Sequence, residues 1–332
     1  MERLFHLSSL AIMGMGKNTG KTSFLNLIIE EARVHHRDRT LALTSIGRDG
    51  EERDLVTRGE KPKIYVSEGT LIATSEGLLS RCDVTREIME STPIFSALGR
   101  IIIFRARSDG FVEIAGPSRS SDLLEIEKSM RRIQEDCLFI VDGALSRMSF
   151  STRTEGAVLC TGVSVSQSQD RILEKTRNAL SALTLPKTTH QLPIKEGRAF
   201  VKSGNWKSVH GELALSLGKE LRKDLSSDTE AIYIKGAATD QLFSELLADE
   251  HFRNLDVILG DGTRLLISSE MMERLTRRKL SLQVVEKIRV EEIIVNPYDQ
   301  GGFEVDIERL MERIQKETEI PVKSLRVLKE GK

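Results

Sequence analysis

The nine residues Gly14-Met15-Gly16-Lys17-Asn18-Thr19-Gly20-Lys21-Thr22 carry the strongest chemical signal in the sequence. Gly14, Gly16 and Gly20 let a backbone pass close to a ligand with no Cβ in the way. Converging N–H groups in such a loop, with the positive end of a following helix, suit a phosphate. Lys21 stands where its ammonium meets β- and γ-phosphate oxygens, and the Thr22 hydroxyl suits Mg²⁺. Lys17, Asn18 and Thr19 complete the stretch that would wrap the phosphates.

This is the P-loop pattern with one departure. The standard form places glycine five residues before the Gly-Lys pair, and Met15 stands there. Glycines flank it at 14 and 16. Dethiobiotin-synthetase-like ATPases have a similar long spacing, with glycine seven residues before the lysine, as Gly14 is here. MinD-like proteins carry an extra lysine five residues before the second one. Lys17 lies four before Lys21, which suits a solvated lysine as well as a nucleotide contact.

A second carboxylate site follows about 120 residues on. Leu138-Phe139-Ile140-Val141 is an apolar run ending at Asp142-Gly143. An apolar strand ending in aspartate is the Walker B pattern, in which the carboxylate holds Mg²⁺ directly or through water. Thr22 and Asp142 are therefore the metal candidates. Asp49, Glu51 and Asp54 lie after the second expected strand, where related NTPases orient water or metal. Asp49, between Gly47 and Gly50, is the catalytic candidate beside Lys21; a solvated acidic loop explains the same residues. Guanine readers carry Asn-Lys-x-Asp after a strand. Asn296-Pro297-Tyr298-Asp299 lacks the lysine, so ATP with Mg²⁺ is expected rather than GTP.

These groups need strands and helices to hold them. Leu10–Met13 reads as a buried strand, Thr22–Ala32 as a buried helix and Thr40–Ile46 as the second strand. Lys63–Val66 and Thr70–Thr74 read as strands, and Ile101–Phe104 with Phe111–Ala115 as a hairpin. Asp122–Ile133 reads as a helix begun by Asp122 and Glu125, with strands Leu138–Val141 and Ala157–Cys160 and helix Arg171–Leu183 beyond. From Ala231 the alternation resumes, through strand Glu292–Val295 and helix Asp306–Glu317 to a last strand near Ser324–Val327. Such alternation predicts an α/β fold, a P-loop NTPase-like, mostly parallel sheet with a second, smaller α/β domain. The expected organisation is a nucleotide-binding domain at 1–190, a linker or ambiguous region at 191–228 containing Trp206, and the smaller domain at 229–332. Gly116-Pro117-Ser118-Arg119-Ser120-Ser121 suits either lining the nucleotide cleft or capping a helix.

Composition narrows the class. Across 332 residues, 49 Lys and Arg face 50 Asp and Glu, which argues against nucleic acid or a membrane surface as the main partner. Cys82, Cys137 and Cys160 form no CxxC pair, and the latter two sit in apolar runs as buried thiols. No segment approaches about 18 consecutive apolar residues, and no secretory signal pattern opens the sequence. A cytoplasmic protein is expected; a homodimer is compatible with the sequence.

Several stretches together resemble a known family. They are the loop at 14–22, Leu43-Thr44-Ser45-Ile46-Gly47-Arg48-Asp49-Gly50-Glu51, Glu68-Gly69-Thr70-Leu71-Ile72-Ala73-Thr74 and Arg105-Ala106-Arg107-Ser108-Asp109-Gly110. Val141-Asp142-Gly143-Ala144-Leu145-Ser146-Arg147 and Val295-Asn296-Pro297-Tyr298 complete them. They resemble the KamB family, the reactivase subunit for lysine 5,6-aminomutase. The resemblance implies an ATPase that restores this adenosylcobalamin- and pyridoxal-phosphate-dependent enzyme after cofactor damage. It also implies two partners, the aminomutase and a MutS-related ATPase subunit. The alternatives are an ATP-dependent ligase of the dethiobiotin-synthetase type and a cobalamin-linked GTPase chaperone.

Overall fold

The computed structural model describes residues 1–46, 63–144, 154–193, 197–209, 217–298 and 306–330. It divides into two compact units: 1–176 with 289–332, and 177–288. Asp49, Glu51, Asp54 and Asp299 lie outside the described residues.

The first unit begins with β1 (Ser9–Gly14), α1 (Lys21–His35), β2 (Leu41–Ser45), β3 (Ile64–Val66) and β4 (Leu71–Ser75). It continues through β5 (Arg86–Ser96), β6 (Gly99–Ala106), β7 (Gly110–Val112), α2 (Ser120–Ile133), β8 (Leu138–Ala144) and β9 (Gly156–Gly162). Helix α3 (Gln169–Leu183) then leads into the second unit. That unit holds β10 (Ala199–Ser203), β11 (Asn205–Val209), α4 (Leu217–Lys223), β12 (Ala231–Ile234), β13 (Ala238–Thr239) and α5 (Asp240–Leu246). It ends with β14 (Asp256–Leu259), β15 (Leu265–Leu266), α6 (Ser269–Arg277) and β16 (Ser281–Val284). The chain returns to the first unit as β17 (Val290–Asn296), α7 (Ile307–Lys316), β18 (Val322–Ser324) and α8 (Leu325–Glu330).

Nine strands form the first sheet, in the order β18-β17-β9-β1-β8-β2-β4-β6-β5. From β18 to β4 all neighbours are parallel; β6 runs antiparallel to both β4 and β5. Strands β1 and β9 are buried along their whole length. Unbroken apolar sequence such as Leu10-Ala11-Ile12-Met13 is what a strand covered on both faces requires. Phe24, Leu25, Ile28 and Ile29 of α1 share one core with Leu10, Ile12, Leu43, Ile140 and Val158 of the sheet. From β1 the chain moves to β2 on one side; from β9 it returns to β17 on the other. The direction of winding thus reverses between β1 and β9, and in open α/β sheets the crevice at such a reversal is where ligands settle.

The second unit has a five-stranded sheet ordered β11-β10-β12-β14-β16, parallel from β12 to β16 and antiparallel at β10 and β11. Leu221, Leu242, Phe243, Leu246, Met271 and Leu275 of its helices pack with Val201, Ile232, Val257 and Leu259. Thr239 and Ser268 cap α5 and α6 through their hydroxyls.

Several arrangements differ from the sequence expectations, among them residues 325–327, expected in the last strand but found in α8. The segment expected to pair with 101–104 as a hairpin does not do so. Strand β7 pairs with β3 instead, and β6 takes β5 as its hairpin partner. The 191–228 region is no linker where described: it supplies the β10–β11 hairpin and α4 to the second unit, and Trp206 sits in β11, donating to the Gln191 carbonyl at 2.6 Å. Residues 289–332, expected in the smaller domain, belong to the first unit, where β17 and β18 extend the large sheet beyond β9. Helix α2 starts at Ser120 without a side-chain cap, rather than at Asp122. Among the described residues no helix is long and apolar enough to cross a membrane.

Candidate functional site

The glycine-rich loop leaves the carboxyl end of β1 and enters α1 at Lys21. Its first peptide is tied to the neighbouring strand, Met15 N–H donating to the Cys160 carbonyl of β9 at 3.0 Å. The buried Thr176 hydroxyl lies 3.6 Å from the Met15 sulfur and 3.0 Å from the Thr161 hydroxyl. Thr19 is fully buried, and its hydroxyl donates to the Gly16 carbonyl at 3.1 Å. Asn18 and Gly20 both take left-handed backbone, at φ 57° and 87°. Turns of this kind bring successive N–H groups to one concave side.

Lys21 folds back over the start of the loop. A Cβ on Gly14 would stand 2.6 Å from Lys21 Cδ, 2.7 Å from its Nζ and 2.7 Å from the Thr19 hydroxyl. Glycine is therefore required at 14 for the lysine to lie there. Helix α1 has no side-chain cap at its N-terminus and no acidic residue in its first turn. Its positive end is left without a built-in anion. Thr22, the second helical residue, is half-buried beside it, and Lys17 is exposed.

Asp142 belongs to β8 and lies in register with Ile12 of β1 on one side and Ser45 of β2 on the other. The sequence placed it at the strand's end; β8 runs two residues further, and Asp142 is half-buried inside it. Lys21 and Asp142 both act on one thiol. Burial pushes Cys160 far above its ordinary range; the Lys21 charge opposes this and the Asp142 charge adds to it. Cys160 stays a protonated thiol and is no nucleophile. Cys82 and Cys137 are likewise free, buried and shifted upward by burial.

The 116–121 stretch begins at the same edge of the sheet. Gly116 N–H donates to the Ser45 hydroxyl at 2.9 Å, and Ile46 N–H donates to the Asp142 carbonyl at 3.0 Å. A Cβ on Gly116 would sit 1.8 Å from the Ser45 carbonyl oxygen. Gly116→Ala is thus expected to destabilise by about 1–3 kcal/mol, the usual cost of forcing a methyl into a filled space. A fall in the urea midpoint at unchanged slope measures it; an unaltered midpoint would mean that β2 and this segment separate freely.

The loop, Lys21, Thr22 and Asp142 thus come from adjacent strands at the carboxyl edge of one sheet. Comparison with protein-family models, with curated proteins and with solved structures found no match. Among the described residues no cluster of three or more His, Cys, Asp or Glu side chains is placed to hold a metal ion. His36, at the end of α1, stacks on Phe5 with ring centroids 4.1 Å apart.

Sequence reasoning compared Asn296 with base recognition and missed its contact with the loop. Asn296, at the end of β17, donates from Nδ2 to the Asn18 carbonyl at 2.8 Å. A second neighbour, Leu325 of α8, has Cδ2 where a Gly20 Cβ would be 3.0 Å away. No local sequence pattern marks either contact.

Proposed function

We propose that the chain is a Mg-ATP-binding P-loop ATPase. The observation that carries the reading is Lys21 lying over Gly14 in a left-handed loop that opens α1, at the crevice where the sheet reverses its winding. The donor set suits a polyphosphate: backbone amides from 16 to 21, a helix start without its own anion, and one ammonium. Thr22 and Asp142 would hold Mg²⁺, an ion that keeps most of its water and takes one or two protein oxygens. Mg²⁺ held there would supply positive charge to offset that of the phosphates. From its place over Gly14, Lys21 would reach the phosphates, and Gly14 leaves its path free of a side chain. Asn296 supports ATP over GTP, since its side chain is engaged by Asn18 and Tyr298 and proline follows it.

The purpose proposed is that of the KamB-like reactivase: ATP-driven restoration of lysine 5,6-aminomutase, with a MutS-related companion, in the cytoplasm. The motif resemblance supports it. Nucleotide can drive a partner's change only if its two states bind that partner differently. The test inactivates an adenosylcobalamin-dependent lysine 5,6-aminomutase by turnover. Fresh cofactor, ATP, Mg²⁺, the companion ATPase and this chain are then added. Recovery is expected only with both ATP and the chain. Equal recovery without the chain would reject the role and favour an ATP-dependent ligase of the dethiobiotin-synthetase type, a reading that the Gly14–Lys21 contact also suits.

A further inference from the structure

Asn296 ends β17, which is separated from β1 by β9, yet its side chain reaches the loop after β1. It is 6% exposed, so its amide must find partners inside the protein. Nδ2 donates to the Asn18 carbonyl at 2.8 Å and to the Tyr298 carbonyl at 3.3 Å, while Oδ1 accepts from Tyr298 N–H at 3.2 Å. Two glycines make room for this residue. A Cβ on Gly20 would lie 3.0 Å from Asn296 Cβ and 3.2 Å from its Cγ, and a Cβ on Gly162 would lie 2.2 Å from its carbonyl oxygen.

The bond to Asn18 has a directional consequence. In a planar trans peptide the C=O and the next N–H point in opposite directions. Holding the Asn18 carbonyl toward Asn296 therefore turns the Thr19 N–H away from β17. Asn18 has φ 57°, a region that non-glycine residues occupy at a cost unless their surroundings hold them. If this peptide flipped, a carbonyl oxygen would replace the N–H on the other side, and an anion there would meet a negative dipole end.

We propose that Asn296 is a positioning residue for the phosphate-binding loop: it fixes the peptide between Asn18 and Thr19, and so aims the Thr19 N–H before any nucleotide arrives. This rests on the phosphate-binding reading above. The residue acts through the loop and does not touch the phosphates.

Asn296→Asp tests it, since the variant keeps the shape and the acceptor for Tyr298 but loses the donor to Asn18. Two quantities are measured on the full-length protein: the Kd for Mg-ATP, and hydrogen exchange of the peptide covering 15–24 without nucleotide. We expect binding weaker by roughly tenfold to a hundredfold, the effect of one lost hydrogen bond to a buried group. Exchange should quicken in that peptide while the β8 and β9 peptides stay as in the wild type. Unchanged binding overturns the proposal. So does weaker binding with unchanged exchange, because Asn296 would then be touching the ligand. If the wild type binds no nucleotide, the phosphate reading fails, and the exchange measurement alone decides whether Asn296 holds the loop. Should the aspartate variant lose its fold, Asn296→Ser, neutral and too short to reach the Asn18 carbonyl, is judged by the same two measurements.

Discussion

Lys21→Ala is expected to remove most of the stabilisation by Mg-ATP at concentrations that saturate the wild type. At a hundred times its Kd, a ligand stabilises the folded state by about 2.7 kcal/mol. For a unit of this size that is a rise of roughly 5–10 °C in the melting temperature. Hydrogen bonds to charged groups contribute about 1.5–3 kcal/mol each. Losing the lysine should weaken binding by about a hundredfold, which removes most of the shift. The free variant is measured alongside, because Lys21 also packs over Gly14. GTP should give a much smaller rise with the wild type. Lys17 supplies the contrast: it is exposed in the loop, and Lys17→Ala should retain most of the shift. If Lys17→Ala costs more than Lys21→Ala, the phosphate lysine has been misassigned.

Asp142→Asn should act on turnover. The substitution preserves volume within β8, between Ile12 and Ser45, so folding should survive and nucleotide should still bind. Losing a preorganised charge of this kind costs roughly 10²–10³ in rate. The Mg²⁺ concentration for half-maximal turnover should also rise, since the metal loses a hard anionic ligand. Phosphate release measured across a Mg²⁺ titration checks both effects. Normal hydrolysis by Asp142→Asn would remove this residue from the metal site.

How much of this was legible in the sequence depended on how local the cause was. Strands β1, β8 and β9 declared themselves through the apolar runs Leu10–Met13, Leu138–Val141 and Ala157–Cys160. Helix α1 did so through Phe24, Leu25, Ile28 and Ile29 on its buried side. The loop between them was readable because glycines at 14, 16 and 20 mark places where backbone passes close to other atoms with no Cβ in the way. Strand β5 was not readable. Arg86, Glu87 and Glu90 interrupt its apolar residues, Pro93 sits within it, and its register shifts at Ile88/Glu90 and Ser91/Phe95. At a sheet edge such breaks are tolerated, so the period-2 signal disappears. The partners of β6 and β7 were misjudged because pairing is a long-range choice that adjacent sequence does not specify. Asn296 shows the same limit at the site: a contact across 278 positions leaves no trace in spacing, and its surroundings suggested comparison with base recognition.

The placement of β17 and β18 in the first sheet sets the order in which the protein can mature. Residues 177–288, the whole second unit, are synthesised between β9 and β17. Domains generally form from the N-terminus as the chain emerges. Until β17 arrives, β9 is a bare edge strand, open to wrong partners. Asn296 and Leu325, which press on the loop around Gly20, are made only after the whole second unit. The glycine-rich loop is therefore made well before the residues that complete its surroundings. A nascent chain on the ribosome cannot complete the surroundings of this loop before the second unit has been made. Closing so large a ring of chain is also a slow step, because distant strands must meet before their contacts reward the meeting.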